Sequence, residues 1–556
     1  MKLQFLITES EKKPRLEYVI QLIGNILGYP WELSTAYHQL DESGIVVSYS
    51  SMNSDIFSIK QPGINIFNSG QLYDLENAEK EISLFEYTGY SIPLIGKQLL
   101  MPPDPEWKEL NRNQYYSKAG QSVWLTGIDL YTNIFFHLSR YEEKWRRVPD
   151  ETSTDHSTSI LSRYNQLGIP TVDILIHYLD QLIKLKINQS KKIALRLMNW
   201  PGGEEFGVAL THDVDLTRAV SFKKRIWKTG TGQVRKLFGD QGTWQNSRAE
   251  MDRLDAEVWS FPQIMDFYGM KKWKATFFFL AKRFEGIHYR YNLKSPQFQS
   301  LFDTLKNENH EIGLHSSLKA FDHQKRYQEE KQKLEKITRI KCTGLRQHYL
   351  RAKFPGLWKQ AESAHFAYDS SLGYNYQAGF RAGTTHPFFT FDLEKDQPLS
   401  LVEFSLAFFE QSILGDISAL ESAQQILQNI IIQVSRFHGL LVALLHPGNF
   451  LQHPYRELWN YLISELDKRR VFVDTLSGHY KWYKFKEHIE ISAERKNKEE
   501  EVYIIKKPIG LRTFSLEVIG NADLRISADA QIERIADRGY TFHTDKTRTE
   551  LTLYRF

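Results

Sequence analysis

Between about Trp200 and Tyr483 short apolar runs recur at intervals along the chain. They are VALTHD (208–213), ATFFFL (275–280), EIGLHS (311–316), GLRQHYL (344–350), HFAYDSS (365–371), LVEFSLAFF (401–409), LLVALLH (440–446) and RVFVDTL (470–476). Amphipathic segments such as FPQIMDFYGM, YQEEKQKLEKITRI and AQQILQNIIIQVSRF separate them and carry helical periodicity. Strands alternating with helices predict parallel β-α-β units. Seven or eight such units predict a (β/α)7-8 barrel over residues 200–485, within an α/β fold class.

The flanks read differently. Residues 1–105 alternate β-like runs (GIVVSYS, GINIF) with one helical stretch, PRLEYVIQLIGNILG, whose Leu16, Val19, Ile20, Leu22 and Ile23 form a stripe. This predicts an N-terminal α/β domain, punctuated at its end by MPPDPEW (101–107). Residues 106–199 carry two amphipathic patterns, GIDLYTNIFFHLSRYEEKW and PTVDILIHYLDQLIKLKI, and are expected to form a helical connecting region. After the charged stretch SAERKNKEEE, short alternating runs predict a small β-sandwich-like domain over 486–556. A long insert after the first barrel run holds the basic tract FKKRIWKTGTGQVRK (222–236). It reads either as a solvated helical face or as a lid for a phosphate or anionic lipid carrier.

Composition narrows the function classes. With 41% hydrophobic and 25% charged residues the chain is that of a folded globular protein. A net charge of +4 gives no reason to expect a nucleic-acid partner. Aromatics at 13% suit carbohydrate contact, although large cores use them too. The single cysteine, Cys342, excludes an internal disulfide and a cysteine-rich zinc site, and fits a reducing compartment. No apolar run approaches the roughly 18 residues of a membrane-spanning helix. The N-terminus lacks the pattern of a secretory signal, so a cytoplasmic location is expected.

In a parallel barrel the C-terminal strand ends converge on the active site, so chemistry is sought there. The first run ends in Thr211-His212-Asp213-Val214-Asp215. Positions two apart on a strand share a face, which brings the two carboxylates together, and a divalent cation is the simplest way to relieve their repulsion. The alternative is one surface Asp plus a helix cap at Asp215. His315 ends the third run, Arg346 and His348 share a face of the fourth, and His446 ends the seventh before Pro447-Gly448. An Arg inside a barrel mouth needs an acid, which Asp213 can supply. Asp and His ligands with an open position describe a hydrolytic metal site. Phosphate-loop and dinucleotide fingerprints are absent from the sequence.

From about Trp200 to about Tyr483, roughly half the chain, the sequence resembles the polysaccharide deacetylases, the nodulation-type carbohydrate esterases of family four. LTHDVD is similar to their first motif, HEIGLHSS to the second, GLRQHYLR to the third and LLHPGNF to the last; YDSSLGY and GFRAGTTHPF are similar to segments of the glycan deacetylase branch. The N-terminal region, with FFHLSRYEE, resembles an uncharacterised domain found before such deacetylases in bacterial polysaccharide clusters. The resemblance implies Asp213 as catalytic base, Arg346 as its orienting arginine and His446 as the acid that protonates the leaving amine. It implies Asp215 and His315 as ligands of a divalent metal, zinc first and cobalt, nickel or manganese as substitutes.

One position departs from the pattern. Where the second motif has a second histidine, this chain has Lys319. His348 or His323 could complete the ligand set, water could fill the place, or the metal could be lost. Tyr374 and Arg381 are the expected substrate-binding residues, and Tyr376, Phe380 and Trp200 are further aromatics that a sugar platform could use. The implied activity is removal of N-acetyl groups from an amino sugar in a glycan, or in a lipid- or nucleotide-linked precursor. Two competing readings are a non-catalytic glycan-binding or assembly protein on a degenerate barrel, and an allantoinase-like hydrolase of a small amide.

Overall fold

A computed structural model of the chain describes residues 1–7, 13–51, 55–99, 106–109, 115–145, 159–215, 253, 255, 257–282, 291–321, 323–414, 420–495, 500–520, 524–535 and 538–555. The basic tract 222–236 and most of MPPDPEW lie outside the described residues.

Three β-assemblies organise the chain. In the N-terminal region a seven-stranded sheet places five parallel strands in the order Trp31–Ser34, Leu3–Leu6, Ile45–Ser50, Gly63–Phe67 and Val123–Thr126. Tyr115–Lys118 and Trp107–Glu109 then extend it antiparallel. Residues expected to open a helical connection at 106 therefore complete the preceding sheet instead. The strands are only three and four residues long, which left little alternation to read.

The helices of this region are those the apolar stripes predict. Leu16, Val19, Ile20, Leu22 and Ile23 of the helix Lys13–Leu27 are all buried, as are Leu130, Ile134, Phe135 and Leu138 of the helix Leu130–Leu138. Asp129 caps the latter by accepting from the Thr132 amide. The helix Thr171–Gln189 is buried on most faces, because it lies between the N-terminal sheet and the next assembly. One hydrophobic core runs through both.

The second assembly is a curled sheet of ten strands. Phe206–Val214, Ala275–Leu280, Glu311–Ser316, Gly344–Gln347 and Tyr368–Asp369 pair in parallel succession, and Leu440–Leu444 lies on the other side of the first. The run 397–409 is two pieces: Gln397–Glu403 pairs with Tyr368–Asp369, and Phe408–Phe409 with Leu440–Leu444. Between them the ladder is interrupted. The Phe404 amide still donates to the Asp369 carbonyl on one side, and the Ala407 amide to the Val442 carbonyl on the other. The described pairings are thus an open, curled path, where a continuous (β/α)7-8 ring was expected. An antiparallel strand, Phe388–Asp392, is added at the edge. Val471–Val473 pairs with the start of the first strand.

The third assembly consists of two four-stranded antiparallel sheets. One is Glu490–Arg495, Glu500–Lys506, Arg548–Arg555 and Leu524–Ala528 in order. The other begins with Ala194–Leu197, a strand from before the curled sheet, and continues with Thr513–Ile519, Gly539–His543 and Gln531–Arg534. Tyr503, Ile505, Leu551 and Leu553 of the first sheet share a core with Leu195, Phe514, Leu516 and Phe542 of the second. No helix of the described residues is long and apolar enough to cross a membrane.

Candidate metal centre

The first strand, Phe206–Val214, is buried at all nine positions, so its polar end must find partners inside the protein. His212 turns to one face. Its Nδ1 lies 2.7 Å from the Leu445 carbonyl and its Nε2 2.7 Å from Tyr268 Oη, against the Phe277 ring. That is a satisfied core histidine. His310, which accepts from the Ala275 amide, is another. Thr211 and Asp213 turn to the opposite face, and Asp215 follows just beyond the strand. Tyr291 steadies this end: its hydroxyl donates to the Val214 carbonyl and accepts from the Leu280 amide, 2.7 Å each.

Around these two carboxylates the strand ends gather. Asp215 Oδ1 is 3.2 Å from His315 Nε2 and 3.6 Å from His348 Nε2, and its Oδ2 is 3.6 Å from His446 Nε2. Asp213 Oδ2 is 3.7 Å from His315 Nε2, while its Oδ1 lies 3.5 Å from Arg346 Nη1. Asp215, His315 and His348 each present a ligand atom within 4.8 Å of the other two. His348 comes from a tight turn beyond the strand Gly344–Gln347.

The donor set fits a cation. The carbonyl of Arg346 can only accept, and it lies 3.0 Å from His315 Nδ1, so that nitrogen carries the proton. In the neutral ring Nε2 then offers a lone pair toward Asp215 Oδ1, a buried oxygen with no hydrogen-bond partner among the described residues. Two lone pairs at 3.2 Å need a positive charge between or upon them. A carbonyl on the far nitrogen is also the usual way a protein orients a metal-binding imidazole. Burial alone would raise the Asp215 carboxyl, but His315 and His348 more than reverse this and hold it well below the usual range. Burial lowers His315; the carboxylates of Asp213 and Asp215 outweigh it and raise the ring. For His348 burial prevails and the ring is lowered, which favours a neutral ligand.

Arg346 is fully buried, with its guanidinium over the Phe278 ring at 4.9 Å. Its Nη2 donates to Ser370 Oγ (2.9 Å) and Thr211 Oγ1 (3.3 Å), which leaves Nη1 aimed at Asp213. On the far side His446 Nδ1 donates to Glu410 Oε1 at 2.8 Å, and the same oxygen accepts from the His446 amide and Asn449 Nδ2. Burial works against the His446 charge, yet the Glu410 carboxylate beside it pushes the ring up to about 10. Glu410 itself, penalised by burial, is held below its usual range by His446.

The structure thus brings Asp213, Asp215, His315, Arg346, His348 and His446 together. Lys319 is exposed on the turn Leu318–Ala320, and His323 is exposed at the start of the helix Gln324–Thr338 and is not among the three grouped ligands. Tyr374 and Arg381 fall elsewhere. Both are buried at the junction with the N-terminal region, where Arg381 pairs with Glu143 at 2.8 and 3.0 Å. Phe380 and Trp200 are also core residues. Sequence reasoning missed Glu410, Thr211, Ser370 and Tyr291. Glu410 alone had a signal, since it is an acid directly after an apolar run, the criterion that found His315 and His446.

A family model described as a family of unknown function, DUF7033, matches residues 5–188. No curated protein matches the chain. Among solved structures, the carbohydrate deacetylase Agd3 is 8% identical and aligns over 100% of this chain and 99% of its own, with a TM-score of 0.38. A protein from Mycobacterium smegmatis assigned to the polysaccharide deacetylases is 17% identical over 54% of this chain and 98% of its own, with a TM-score of 0.35. The Puue allantoinase is 10% identical over 52% and 94%, with a TM-score of 0.36. These neighbours differ in substrate and in identity are remote, so the chemistry is read from the side chains of this chain.

Proposed function

We propose that the protein is a metal-dependent hydrolase that removes N-acetyl groups from an amino sugar in a glycan or glycan precursor, acting on a linear amide C–N bond. The observation that carries this reading is the convergence of Asp215, His315 and His348 within 4.8 Å, flanked by Asp213 on one side and His446 on the other. A divalent ion held by those three residues, zinc by preference and cobalt, nickel or manganese as substitutes, supplies a Lewis acid for the acetyl carbonyl and a water of lowered pKa.

The chain's own groups do the rest. Asp213 accepts the proton of the attacking water, and Arg346 fixes the carboxylate and balances its charge. His446 keeps its Nδ1 proton on Glu410 and has Nε2 turned toward Asp215, so a proton on Nε2 is available to the departing nitrogen. A C–O bond forms, the C–N bond breaks, acetate leaves, and the sugar retains a protonated amine. Lys319, the feature behind the non-catalytic reading, is exposed, and in this reading His348 serves as the third ligand.

The test combines metal analysis of the purified protein with acetate release from N-acetylated sugars. Bound metal with acetate release is expected, and Asp213→Asn should lower the rate on the order of 10²–10⁴-fold. Near-wild-type turnover in that variant removes the mechanism. Sugar binding without metal or acetate release would support a glycan-binding protein instead.

A further inference from the structure

The segment 373–386 joins the strands Tyr368–Asp369 and Phe388–Asp392, and the N-terminal region grips it along much of its length. Arg381 pairs with both oxygens of Glu143, at 3.0 and 2.8 Å. Glu143 also accepts from Arg140, which is buried and donates to the Arg381 carbonyl. The Phe380 amide donates to the Leu167 carbonyl, the Val172 amide to the Gly383 carbonyl, and Asp173 accepts from Thr384 and Thr385. A salt bridge this deep is costly to desolvate unless it is fully partnered. Here it also fixes the start of the segment, because Arg381 Nη1 donates to the Gly373 carbonyl at 2.9 Å.

That start lies against the metal cluster. Asn375 Nδ2 donates to the Tyr349 carbonyl at 2.9 Å, and a side chain at Gly373 would meet Leu350 and Leu406. Tyr349 follows the ligand His348 and stacks on its ring at 4.4 Å. Tyr349 (φ 58°) and Leu350 (φ 51°) are both left-handed, a conformation that costs a non-glycine residue and persists only where surroundings enforce it. Asn375 is one such enforcing contact. The next residue along the chain, Tyr376, is 79% exposed, and Tyr349 is 55% exposed. Scattered exposed aromatics need no explanation, but here the Asn375 hydrogen bond ties together the two segments that carry them, next to the turn that bears His348. Aromatic rings offer a flat apolar face and a polar tip, the combination that packs on the C–H face of a pyranose while reaching its hydroxyls.

Resting on the hydrolase reading above, we infer that the segment carrying Asn375 and Tyr376 forms a substrate shelf at the rim of the metal centre. Tyr376 contacts a sugar unit next to the reacting one, which selects an oligomeric glycan over a small amide. Glu143 and Arg381 are positioning residues through which the N-terminal region holds that shelf in place.

The experiment uses the intact, zinc-loaded protein with N-acetylglucosamine and its β-1,4-linked tetramer. Tyr376→Ala should raise KM for the tetramer roughly 2- to 13-fold, with kcat, metal content and monomer kinetics unchanged. Tyr376→Trp should restore the tetramer KM. Glu143→Gln should reproduce the rise in KM; since it leaves two buried arginines short of a partner, the surface variant Asn375→Ala provides a second break in the same chain of contacts. An unchanged tetramer KM in Tyr376→Ala overturns the shelf. If the wild type releases no acetate, calorimetric titration with the tetramer separates the two ideas. Binding that Tyr376→Ala weakens keeps the shelf and removes the hydrolase, whereas neither release nor binding in the wild type overturns both.

Discussion

Glu311 and His315 stand at opposite ends of one strand, Glu311–Ser316, and the acids at those two ends have been treated in opposite ways. At the N-terminal end Glu311 accepts from Thr276 Oγ1, Thr343 Oγ1, Tyr368 Oη and the Ser477 amide, at 2.8 to 3.2 Å. Every donor is neutral, and burial still raises its pKa. At the C-terminal end Asp215 sits among three imidazoles, and its Oδ1 has no hydrogen bond within the described residues. Its pKa is driven the other way. Burial alone does not separate a structural acid from a functional one. The partners do: neutral donors that saturate the oxygens finish a structure, while basic groups that leave an oxygen open prepare a site.

The strongest way to break this contrast is Asp215→Asn. It should weaken metal binding by at least about 100-fold, above the range seen when only the groups supporting a ligand are changed, with a correspondingly large loss of acetate release. Chelator competition followed by absorbance reads the affinity directly. A variant that keeps wild-type affinity would return Asp215 to the ranks of ordinary buried acids.

A third acid tests the rule from the structural side. Asp173 lies at the first turn of the helix Thr171–Gln189, is buried, and among the described residues accepts from Thr384 and Thr385. Burial pushes its carboxyl up to about 7 from an ordinary 3.8. The folded state then binds this proton more tightly than the unfolded chain. Its contribution to stability is complete below about pH 4 and falls by about 1.4 kcal/mol per pH unit until about pH 7. Asp173→Asn should remove that slope, so urea midpoints of variant and wild type should draw apart between pH 4 and 7, the wild type losing ground. Parallel pH profiles would mean that Asp173 stays ionised, and the neutral-donor rule would fail here.

The sequence made the site easier to find than the shape around it. Asp213, Asp215, His315 and His446 were legible because each ends an apolar run, and a strand end is a local property. Three of the runs, 206–214, 275–280 and 311–316, are strands close to where the apolar pattern places them. His348 was found by alternation although the strand stops at Gln347; the turn that follows happens to direct the ring to the same cluster. The burial of Tyr374 and Arg381 was not legible, because Arg140 and Glu143, the groups they face, lie more than two hundred residues away. The break at residues 404–407 was equally hidden, since LVEFSLAFF is mostly apolar on both sides of it and reads as one continuous run. Pairing between distant segments is a tertiary property that periodicity cannot carry.

A smaller effect is expected at Glu311 itself. Glu311→Gln places an amide NH₂ where four donors already point, so at least one buried donor loses its acceptor at a cost of about 1–3 kcal/mol. Urea unfolding should show this loss, while metal affinity and turnover remain at wild-type values. Loss of metal in this variant would couple the two ends of the strand and blur the distinction drawn between them.

The smallest effect belongs to Lys319, the residue that stands where the deacetylase resemblance expects a second histidine. The strand Glu311–Ser316 ends in the turn Leu318–Ala320, whose Lys319 side chain is exposed and whose Lys319 carbonyl accepts from Arg326. The neighbouring strand Gly344–Gln347 ends in the turn that carries His348 into the cluster. If the ligand has in effect been supplied by the second turn, the first is released from that role. Lys319→Ala should then leave acetate release at the wild-type rate. Its metal affinity should be unchanged, whereas His348→Ala should lose metal. Reversal of that order, with metal lost at 319 and kept at 348, would place the third ligand on the wrong turn and undo the geometry on which the proposed chemistry stands.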